Sequence, residues 1–540
     1  MIQEYNLRLL PQDAIDEDRL KSSVCRLKGI APTDIKAVQL LKRSVDARQK
    51  TVFLQVSVRV FINEQPETGV RYTPVVYGDV SRAPAVIVVG AGPAGLFAAL
   101  RLIELGRKPI VVERGKNVSE RKRDIAQSVR SGHISPESNY CFGEGGAGAF
   151  SDGKLYTRSK KRGNVQRILQ LFHQFGASDA VLTDAHPHIG TDRLPRIISH
   201  MRQQILDSGG EVRFETRMTG LLMHDGEVSG IRCQNGLELT GPVILATGHS
   251  ARDVYRMFFE QGLPLEAKGF AMGVRLEHPQ SLIDSLMYHS HKGRGEWLPA
   301  AEYSFVEQVE GRGVYSFCMC PGGFIVPAAD RDGQAVVNGM SPSNRGSKWA
   351  NSGMVVEIRP EDLPKYEKFI KKVISQPTFE SLISAPYDRL PDHQRMMLLQ
   401  QAYEHHAWLQ VRQGLTAPAQ RMTDFLKGRV SADLPSTSYV PGLQSSPLHQ
   451  WMPFEMRSRL QQGFKMFDRS IRGFLTEEAQ LIAAETRTSS PVRLPREAEG
   501  LNLMGVKGLY PCGEGAGYAG GIVSSAIDGE LCAEKAAAIR

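Results

Sequence analysis

The stretch that decides the fold runs from Ala85 to Gly115 and reads AVIVVGAGPAGLFAALRLIELGRKPIVVERG. It opens with an apolar run rich in β-branched side chains, Ala85–Val89, which predicts a strand buried on both faces. A helix is predicted over about 94–105, and a second, short strand over 110–112 ends at Glu113. This succession predicts one βαβ unit of a parallel sheet.

The turn after the first strand carries Gly90, Gly92 and Gly95 in the order G-x-G-x-x-G. Gly90 permits a tight turn, Gly92 lets a pyrophosphate approach the backbone, and Gly95 lets the helix pack closely on the sheet. The unpaired N–H groups of the first helical turn then face the phosphates. Glu113 can accept ribose hydroxyls and would repel a 2′-phosphate, which argues against NADP at this site.

Length and composition are those of a globular protein of two to four domains: 540 residues with a net charge of +8. Basic residues are scattered, with short clusters such as 160–162, which is typical of a solvated surface. The seven cysteines are widely spread and odd in number, which favours a reducing compartment. The N-terminus shows no secretory signal, and the most apolar stretch is the βαβ unit itself, so we expect a cytoplasmic protein without a membrane span.

The first 80 residues precede the nucleotide-binding stretch and predict a small α+β module. A strand is predicted over 2–9, a helix over 16–27, and further strands over 35–44 and 51–62. Two roles stay open for this module. It is either a module that binds a partner or nucleic acid, or an appendage for packing or dimerisation.

Three later segments also have features typical of a nucleotide-binding site. CFGEGGAGAFSDGKL (141–155) leaves little side chain, so its backbone can lie against a flat ring or a phosphate. A buried strand over 242–246 ends in Thr247 and Gly248. Near the end, a Gly-Glu pair and a glycine-rich turn open a closing helix over 522–538. Two glycine-rich helix starts predict one long dinucleotide lying across the fold.

The segment HPHIGTD (186–192) has two histidines but no third ligand with zinc spacing, so we predict no metal site. We interpret it as the start of a helix over 192–208, capped by Thr191 or Asp192. From about residue 269, short alternating strands recur with helices between them, which predicts a mixed second domain laid over the cofactor.

The chain resembles a known family on these and other segments. GAGPAG (90–95), Glu113-Arg114-Gly115, LATG (245–248) and the late Gly-Glu turn are similar to flavoproteins of the glutathione-reductase and hydroxylase type. In more detail the chain resembles the bacterial and plastid family of uncharacterised FAD-dependent dehydrogenases, also called NAD(FAD)-utilising dehydrogenases. The matching stretches are SVDAR (44–48), GEGGAGAFSDGKL (143–155), GTD (190–192), GVRLEHPQ (273–280), CMCPGG (318–323), NGMS (338–341), ETRTSSPVR (485–493) and YPCGEGAGYAGGI (510–522).

The resemblance implies an α/β fold with bound FAD and a redox reaction, and it supplies no substrate. We expect a discontinuous Rossmann-like FAD-binding domain, a mixed α+β substrate or cap domain and the small N-terminal module. The expected boundaries are 1–80 for the module, 81–268 and 496–540 for the FAD-binding domain, and 269–495 for the cap. The cap is expected to cover the reactive face of the flavin.

The residues expected to bind FAD lie in the glycine-rich turns and at the strand ends. They are Gly90, Gly92, Pro93, Ala94, Gly95, Glu113, Arg114, Gly145, Gly146, Ser151, Asp152, Lys154, Thr247, Gly248, Gly513, Glu514, Gly520, Gly521 and Ile522. The chain has no second G-x-G-x-x-G between residues 150 and 500. We therefore expect NADH or NADPH, if either is the electron donor, to bind only transiently.

Three residues are candidates for catalysis. Arg487 and Ser489 lie just before the returning strand and could orient a substrate or deliver a proton. A structural turn with a buried arginine is the alternative. Cys320, in the Cys-Met-Cys-Pro segment, could present a thiol to the flavin, although a disulfide between the cysteines of C-x-C closes a less favourable ring than one in C-x-x-C. The alternative is that Cys320 is a buried residue of the strand core.

The leading hypothesis is an FAD-dependent oxidoreductase that transfers hydride between the flavin and a small or medium organic substrate at the interface of the FAD and cap domains. One variant is a prenyl-type reductase of carbon–carbon double bonds, which a large apolar tunnel would support. A flavin-dependent RNA-modifying enzyme is a second hypothesis, and a flavin-dependent sensor is a third. The sequence leaves the oligomeric state open.

Overall fold

The N-terminal segment forms a module in which two helices pack on a small antiparallel sheet. The computed structural model describes residues 1–66, 72–157, 163–380 and 385–538. The elements of the module are β1 (Ile2–Leu9), α1 (Pro11–Ile15), α2 (Glu17–Lys28), β2 (Ile35–Asp46) and β3 (Phe53–Ile62). The strand order is β1-β3-β2, and Leu20 and Val24 of α2 pack on Val58 of β3 in the module's own core.

The next part of the chain begins with the predicted βαβ unit. Its elements are β4 (Ala85–Val89), α3 (Pro93–Glu104), β5 (Lys108–Val112), α4 (Val118–Ser131), α5 (Val165–Gln174), α6 (Ala180–Thr183), α7 (Leu194–Asp207), β6 (Glu211–Arg213), β7 (Met218–His224), β8 (Glu227–Cys233), β9 (Glu238–Thr240), β10 (Val243–Leu245) and α8 (Arg252–Glu260). A short 3₁₀ turn lies at Gly146–Gly148. Strands β7, β8 and β9 form a separate antiparallel sheet.

The predicted second domain contains a mostly antiparallel sheet with helices around it. Its elements are β11 (Glu266–Ala267), β12 (Phe270–Pro279), α9 (Gln280–Met287), β13 (Val306–Val309), β14 (Arg312–Pro327), β15 (Val337–Met340), β16 (Trp349–Ile358), α10 (Leu363–Ile374), α11 (Asp392–Leu409), β17 (Ala417–Arg421), α12 (Met422–Lys427), β18 (Leu443–Ser445), α13 (Leu448–Trp451), α14 (Phe454–Ser470), β19 (Gln480–Glu485) and β20 (Val492–Arg493). The strand order is β13-β14-β16-β12-β19-β17-β18, with β15 paired to β14.

The chain then returns to the first sheet with β21 (Leu509–Pro511) and α15 (Ile522–Ala537). The strand order of the parallel sheet is β21-β10-β4-β5-β6, so β4 lies in the middle. Strand β10 joins β4 on one side and β21 on the other. This order is that of a doubly wound nucleotide-binding sheet completed by a distant segment, which confirms the predicted α/β fold with a Rossmann-like, discontinuous part.

Several sequence expectations differ from the structure in detail. The strands predicted over 313–318 and 323–327 belong to one long strand, β14. The predicted cap of α7 is wrong: Arg193 precedes the helix without a side-chain cap, and the Asp192 carboxylate instead accepts hydrogen bonds from the Ser343 amide (2.6 Å) and hydroxyl (2.7 Å). The basic cluster at 160–162 lies outside the described residues. Among the described helices, none has the length and apolar character needed to cross a membrane.

The contact between α15 and α3 gives a direct test of how the return segment is held. A Cβ added at Gly529 would lie 2.1 Å from the carbonyl oxygen of Ala94, so the two helices would have to separate. We expect Gly529→Ala to lower the free energy of unfolding by about 2 kcal/mol. That loss outweighs the roughly 1 kcal/mol that alanine gains over glycine inside a helix.

The measurement is urea unfolding of the variant beside Gly220→Ala. A Cβ at Gly220, on β7, meets no atom within 4 Å. The control is expected to stay within about 0.5 kcal/mol of the parent protein. Equal stability of the two variants would contradict the close packing of α15 on α3.

Candidate functional site

The predicted cofactor positions meet at the carboxyl edge of the parallel sheet. Strands β4, β5, β10 and β21 all run in one direction, and each ends in one of the predicted segments. The segments that follow them are 90–95, 113–115, 247–248 and 513–514. In open sheets of this kind the ligand lies in the crevice outside the carboxyl ends of the strands. The topology therefore brings together residues that are more than 400 positions apart in the sequence.

The turn between β4 and α3 requires glycine at two positions. A Cβ at Gly90 would lie 2.4 Å from the Ala246 carbonyl oxygen, and one at Gly95 would lie 1.9 Å from the Gly90 carbonyl oxygen. At Gly92 the nearest atom to such a Cβ is the Gly146 Cα, at 3.7 Å. The turn thus packs closely against the neighbouring backbone at Gly90 and Gly95 and leaves space at Gly92. The amides of the first turn of α3 have no carbonyl partner within the helix, so they can bind an anion.

The two helix starts, α3 and α15, meet at the glycine-rich segment after α4. A Cβ at Gly148 would lie 3.4 Å from both Pro93 at the start of α3 and Ile522 at the start of α15. At Gly248, Gly520 and Gly521 an added Cβ would meet no atom within 4 Å. Backbone amides of two helix starts beside open space are what a dinucleotide needs, so the residues present fit FAD.

Glu113 and Arg114 have partners within the protein. The Glu113 carboxylate is buried and accepts hydrogen bonds from the amides of Ala91 (2.9 Å), Gly115 (2.9 Å) and Gly143 (3.1 Å). These bonds join the turn after β4 to the glycine-rich segment. A carboxylate has about four acceptor sites, so Glu113 retains capacity for a ribose hydroxyl. Arg114 forms an ion pair with Asp253 of α8.

Glu514 holds the start of the closing helix. Its carboxylate bonds the Nδ1 atom of His249 at 3.0 Å and accepts the amide hydrogen of Gly521. Burial alone would raise the pKa of Glu514, but the hydrogen bond and charge of His249 outweigh it and lower this pKa below its usual value. Glu514, one of the residues expected to bind FAD, thus stays ionised beside the glycine-rich turn.

The segment 151–154 faces the cap as well as the glycine-rich turn. The Ser151 hydroxyl donates to the Gly148 carbonyl at 2.7 Å, within the turn. Asp152 is buried and forms an ion pair with Arg345 at 3.0 Å. The Lys154 ammonium donates to the carbonyl of Met319 on β14. The predicted cofactor loop therefore also fixes the position of β14.

Arg487 lies in a buried network that joins the FAD-binding part to the cap. Glu404 of α11 accepts from Arg252 of α8 at 2.8 and 2.9 Å and from Arg487 at 3.2 and 3.3 Å. Arg487 also pairs with Asp330 and donates to the Ser250 hydroxyl at 3.0 Å. Burial would raise the pKa of Glu404, but the two guanidinium groups lower it from 4.5 to about 2.

The other catalytic candidates have different surroundings. The Ser489 hydroxyl accepts from the Lys268 ammonium at 3.3 Å, and burial lowers the pKa of Lys268. Cys320 is fully buried, and its thiol donates to the Cys318 carbonyl at 3.4 Å. Of the two cysteines, Cys318 borders the large cavity of the protein, and Cys320 does not.

That cavity has a volume of 2070 Å³ and lies where the N-terminal module, the FAD-binding part and the cap meet. Pockets for drug-sized ligands are typically about 300–1,000 Å³, so this one has room for a bulky molecule. Each part supplies wall residues, among them Val45 and Leu54 from the module, Lys154 and Gly520 from the FAD-binding part, and Leu282 and Cys318 from the cap.

The N-terminal module reaches this cavity through the segment SVDAR and its preceding arginine. The Arg43 guanidinium binds the Asp184 carboxylate at 2.8 and 3.1 Å, and the Arg43 carbonyl accepts from the Ala185 amide at 2.9 Å. On the cap side, the His289 ring donates to the Ala47 carbonyl at 3.0 Å. The module is thus a wall of the site.

Sequence reasoning missed the partners of Arg487 and the cavity walls. The α8 segment has apolar residues at helical spacing, which could have predicted the helix that carries Arg252. Nothing in the sequence links Arg252 to Glu404, 152 positions later. The role of the module in the cavity wall likewise depends on contacts between distant segments.

A further cluster brings Cys512, Asp528 and Cys532 within 4.8 Å of one another in the described part of the chain. Both oxygens of Asp528 accept from the Arg496 guanidinium at 3.0 Å. This guanidinium already balances the buried carboxylate, so the prediction that the chain has no metal site stands unchanged.

The buried network predicts a pH-dependent loss of stability. A carboxyl with a lowered pKa stabilises the folded state above its unfolded pKa, and the gain is lost as pH falls through the folded pKa. For Glu404 that window runs from 4.5 down to about 2. We expect Glu404→Gln to cost about 3 kcal/mol at neutral pH, because buried Arg252 loses its counterion and Arg487 keeps only Asp330.

Urea unfolding of the parent protein and the variant at several pH values measures this difference. The difference in unfolding free energy between the parent protein and Glu404→Gln should shrink steadily as the pH falls below 4.5, the usual pKa of a glutamate carboxyl. Glu499→Gln, a substitution at an exposed residue, is the control and should leave stability unchanged at every pH. A difference that does not vary with pH would show that Glu404 is not the titrating group.

Family models match three parts of the chain. An FAD binding domain matches residues 85–135, the C-terminal domain of FAD-dependent proteins matches residues 269–488, and a domain of unknown function matches residues 1–61. The first match covers β4, α3, β5 and α4, and the second lies within the part predicted to be the cap.

An uncharacterized protein from Clostridium beijerinckii is 38% identical to this chain over 96% of both sequences. Two solved structures are similar at lower levels: a geranylgeranyl bacteriochlorophyll reductase-like protein from Thermoplasma acidophilum (13% identity, 84% of this chain and 78% of that one, TM-score 0.34) and L-amino acid deaminase from Proteus vulgaris (12% identity, 86% and 95%, TM-score 0.34). At these TM-scores the two structures carry no argument about function. The clostridial relative shows the family and the matched domains show the cofactor: the chain belongs to the family of this clostridial protein and is an FAD-dependent oxidoreductase.

Proposed function

We propose that this oxidoreductase acts on a bulky, largely apolar organic molecule that binds in the cavity between the N-terminal module and the cap. The observation that carries the proposal is the 2070 Å³ cavity, which extends from Leu282 and Trp297 of the cap to Gly520, next to the start of α15. We propose that the residues described above at the carboxyl edge of the parallel sheet bind the FAD. We also propose that the domains meet at residues 80, 268 and 495.

The character of the walls supports this substrate class. The far end combines Leu282, Leu298 and Trp297 of the cap with Ile15 and Leu54 of the module. The end near β14 is polar, with Lys154, His186, Glu302 and Arg345 among its wall residues. An apolar chamber with a few polar groups at one end binds an apolar body and orients its reacting part. Because the module forms a wall of this cavity, we favour a small-molecule substrate over RNA.

The bound FAD supplies two-electron transfer, and the chain supplies position, charge and protons. The helix dipole at the start of α15 favours negative charge beside Gly520 and Gly521. The bond between Glu514 and His249 holds the turn before this helix. We assign substrate orientation at the polar end to Lys154 and Arg345. Arg487 and Ser489, at the junction of FAD-binding part and cap, are proposed to keep these two parts in register around the flavin.

His186 is proposed as the proton carrier of the cavity. Its Nδ1 atom lies 2.5 Å from a Glu302 carboxylate oxygen, and its ring is largely exposed to the cavity. The bond to Glu302 raises the pKa of His186 above 6.5, although Lys154 and Arg345 oppose this. Burial would raise the pKa of Glu302, but His186 and the neighbouring cations lower it to about 2. The imidazolium form is thus stabilised where a proton would be delivered.

Two further features bear on the cellular compartment and the electron donor that we propose for this reaction. All seven cysteines lie in described residues and are free thiols, which supports the proposal that the protein works in a reducing compartment such as the cytoplasm. A nicotinamide donor, NADH or NADPH, would reach the flavin through the same open cavity, because the chain carries no second dinucleotide motif.

The main experiment is an anaerobic titration of the holoprotein, monitored through the absorbance of its flavin. We expect NADH or NADPH to bleach the flavin and an isoprenoid alkene, geranylgeraniol, to reoxidise it. Leu282→Trp, which narrows the apolar end, should slow reoxidation about tenfold while bleaching is unchanged. Ser281→Trp, on the outer side of the same helix, should change neither rate.

Each half of this titration can contradict a different part of the proposal. A flavin that stays oxidised with both nucleotides would exclude a nicotinamide donor. Equal reoxidation rates in Leu282→Trp and Ser281→Trp would exclude the apolar end as the substrate site.

The His186–Glu302 pair gives a prediction that needs no substrate. We expect the His186 ring to titrate above the 6.5 of an unperturbed histidine, and Glu302→Gln to lower its pKa, because the carboxylate that stabilises the imidazolium is gone. Histidine NMR titration measures both values, and Glu307→Gln, a substitution at a carboxyl outside the cavity wall, is the control. A His186 pKa that is the same in the parent and Glu302→Gln would contradict the assignment.

A further inference from the structure

Strand β14 is irregular where it passes the cavity. Its pairing with β16 shifts register between Phe317 and Cys320, which marks a β-bulge. Within this bulge Cys318 has a φ of 46°, in the left-handed region that side chains other than glycine rarely adopt. Bulges and strained backbone are concentrated next to active sites, where they redirect side chains. This irregularity sets the thiols of Cys318 and Cys320 in their positions.

The two cysteines are neighbours with unequal access to the cavity. Cys318 is half-buried and borders the cavity, whereas Cys320 is fully buried behind it. The Cys320 thiol donates to the Cys318 carbonyl at 3.4 Å. One sulfur is therefore accessible from the cavity, and the second lies beside the backbone of the first.

Positive charge surrounds the accessible sulfur. The Lys154 ammonium donates to the Met319 carbonyl, and the Arg275 guanidinium donates to the Cys318 carbonyl at 3.3 Å. The hydrogen bond from Cys320 and these two cations hold the pKa of Cys318 below its usual value. The same contact and burial raise the pKa of Cys320. This asymmetry matches an attacking thiolate paired with a protonated partner.

We propose that Cys318 and Cys320 form a reversible dithiol–disulfide centre between the bound FAD and the substrate cavity. On oxidation an Sγ–Sγ bond forms between them, each thiol gives up its proton, and the two electrons and two protons pass to the FAD. The reverse step breaks the disulfide and returns both thiols. The centre would let the protein exchange electrons with a thiol or disulfide compound in the cavity. It uses the FAD already assigned and does not depend on the proposed apolar substrate.

Reductive titration of the holoprotein tests this inference. The protein is first oxidised with the thiol oxidant diamide, which takes up the two electrons and two protons as its hydrazine, then desalted and titrated anaerobically with dithionite. The parent protein should take up two more electrons per FAD than Cys318→Ala or Cys320→Ala, because a disulfide is a two-electron couple. Cys25→Ser, in the N-terminal module, should behave like the parent protein.

Mass spectrometry gives a readout that does not use the flavin. After oxidation, denaturation and treatment with N-ethylmaleimide, the peptide with residues 318–320 should carry no label and be lighter by two hydrogens than its reduced form. Full labelling of this peptide, or equal electron uptake by the parent protein and both variants, would overturn the proposal. If a variant fails to retain FAD, the N-ethylmaleimide labelling of the 318–320 peptide from the parent protein is the measurement that tests the proposal.

Discussion

The structure depends on one buried carboxylate, Glu404, held between the guanidinium groups of Arg252 and Arg487. Arg252 and Glu404 have almost no exposed side-chain surface, so each charge would be costly without the other. Arg252 belongs to α8 of the FAD-binding part, Glu404 to α11 of the cap, and Arg487 to the segment that follows β19. Glu404 pairs with both guanidinium groups, and Asp330 is a second partner of Arg487, so the network joins segments that are distant in the sequence. The cap and the FAD-binding part are therefore a single electrostatic unit.

This constraint explains how a site can form between elements that share no local sequence signal. The parallel sheet collects the glycine-rich turns at its carboxyl edge, and the buried network fixes the cap against that edge. The Lys154 and Asp152 contacts then position β14 and Arg345 beside the cofactor loop. The N-terminal module completes the enclosure through Arg43 and Ala47. The cavity is the space that these four sets of contacts leave between them.

The sequence predicts the parts that short-range physics determines. The βαβ unit, the glycine requirement at Gly90 and Gly95, and the three strands and longer helix of the N-terminal module follow from periodicity and turn geometry, and the structure has them. The short helix α1 was not predicted. Contacts over long distances in the chain were not predictable: Asp192 binds Ser343 instead of capping α7, and Arg252 meets Glu404. The Cys-Met-Cys segment shows the same limit. The pattern indicates two thiols, but only the bulge in β14 decides that Cys318 borders the cavity.

The return of the chain to the first sheet also determines when the cofactor can be held during biosynthesis. Strand β21 and helix α15 are translated after the whole cap, yet α15 provides one of the two helix starts at the cofactor site and packs on α3. A nascent chain that has emerged only as far as β20 lacks β21, the neighbour of β10 in the sheet, and the helix start of α15. The complete cofactor site therefore exists only after the cap has been translated.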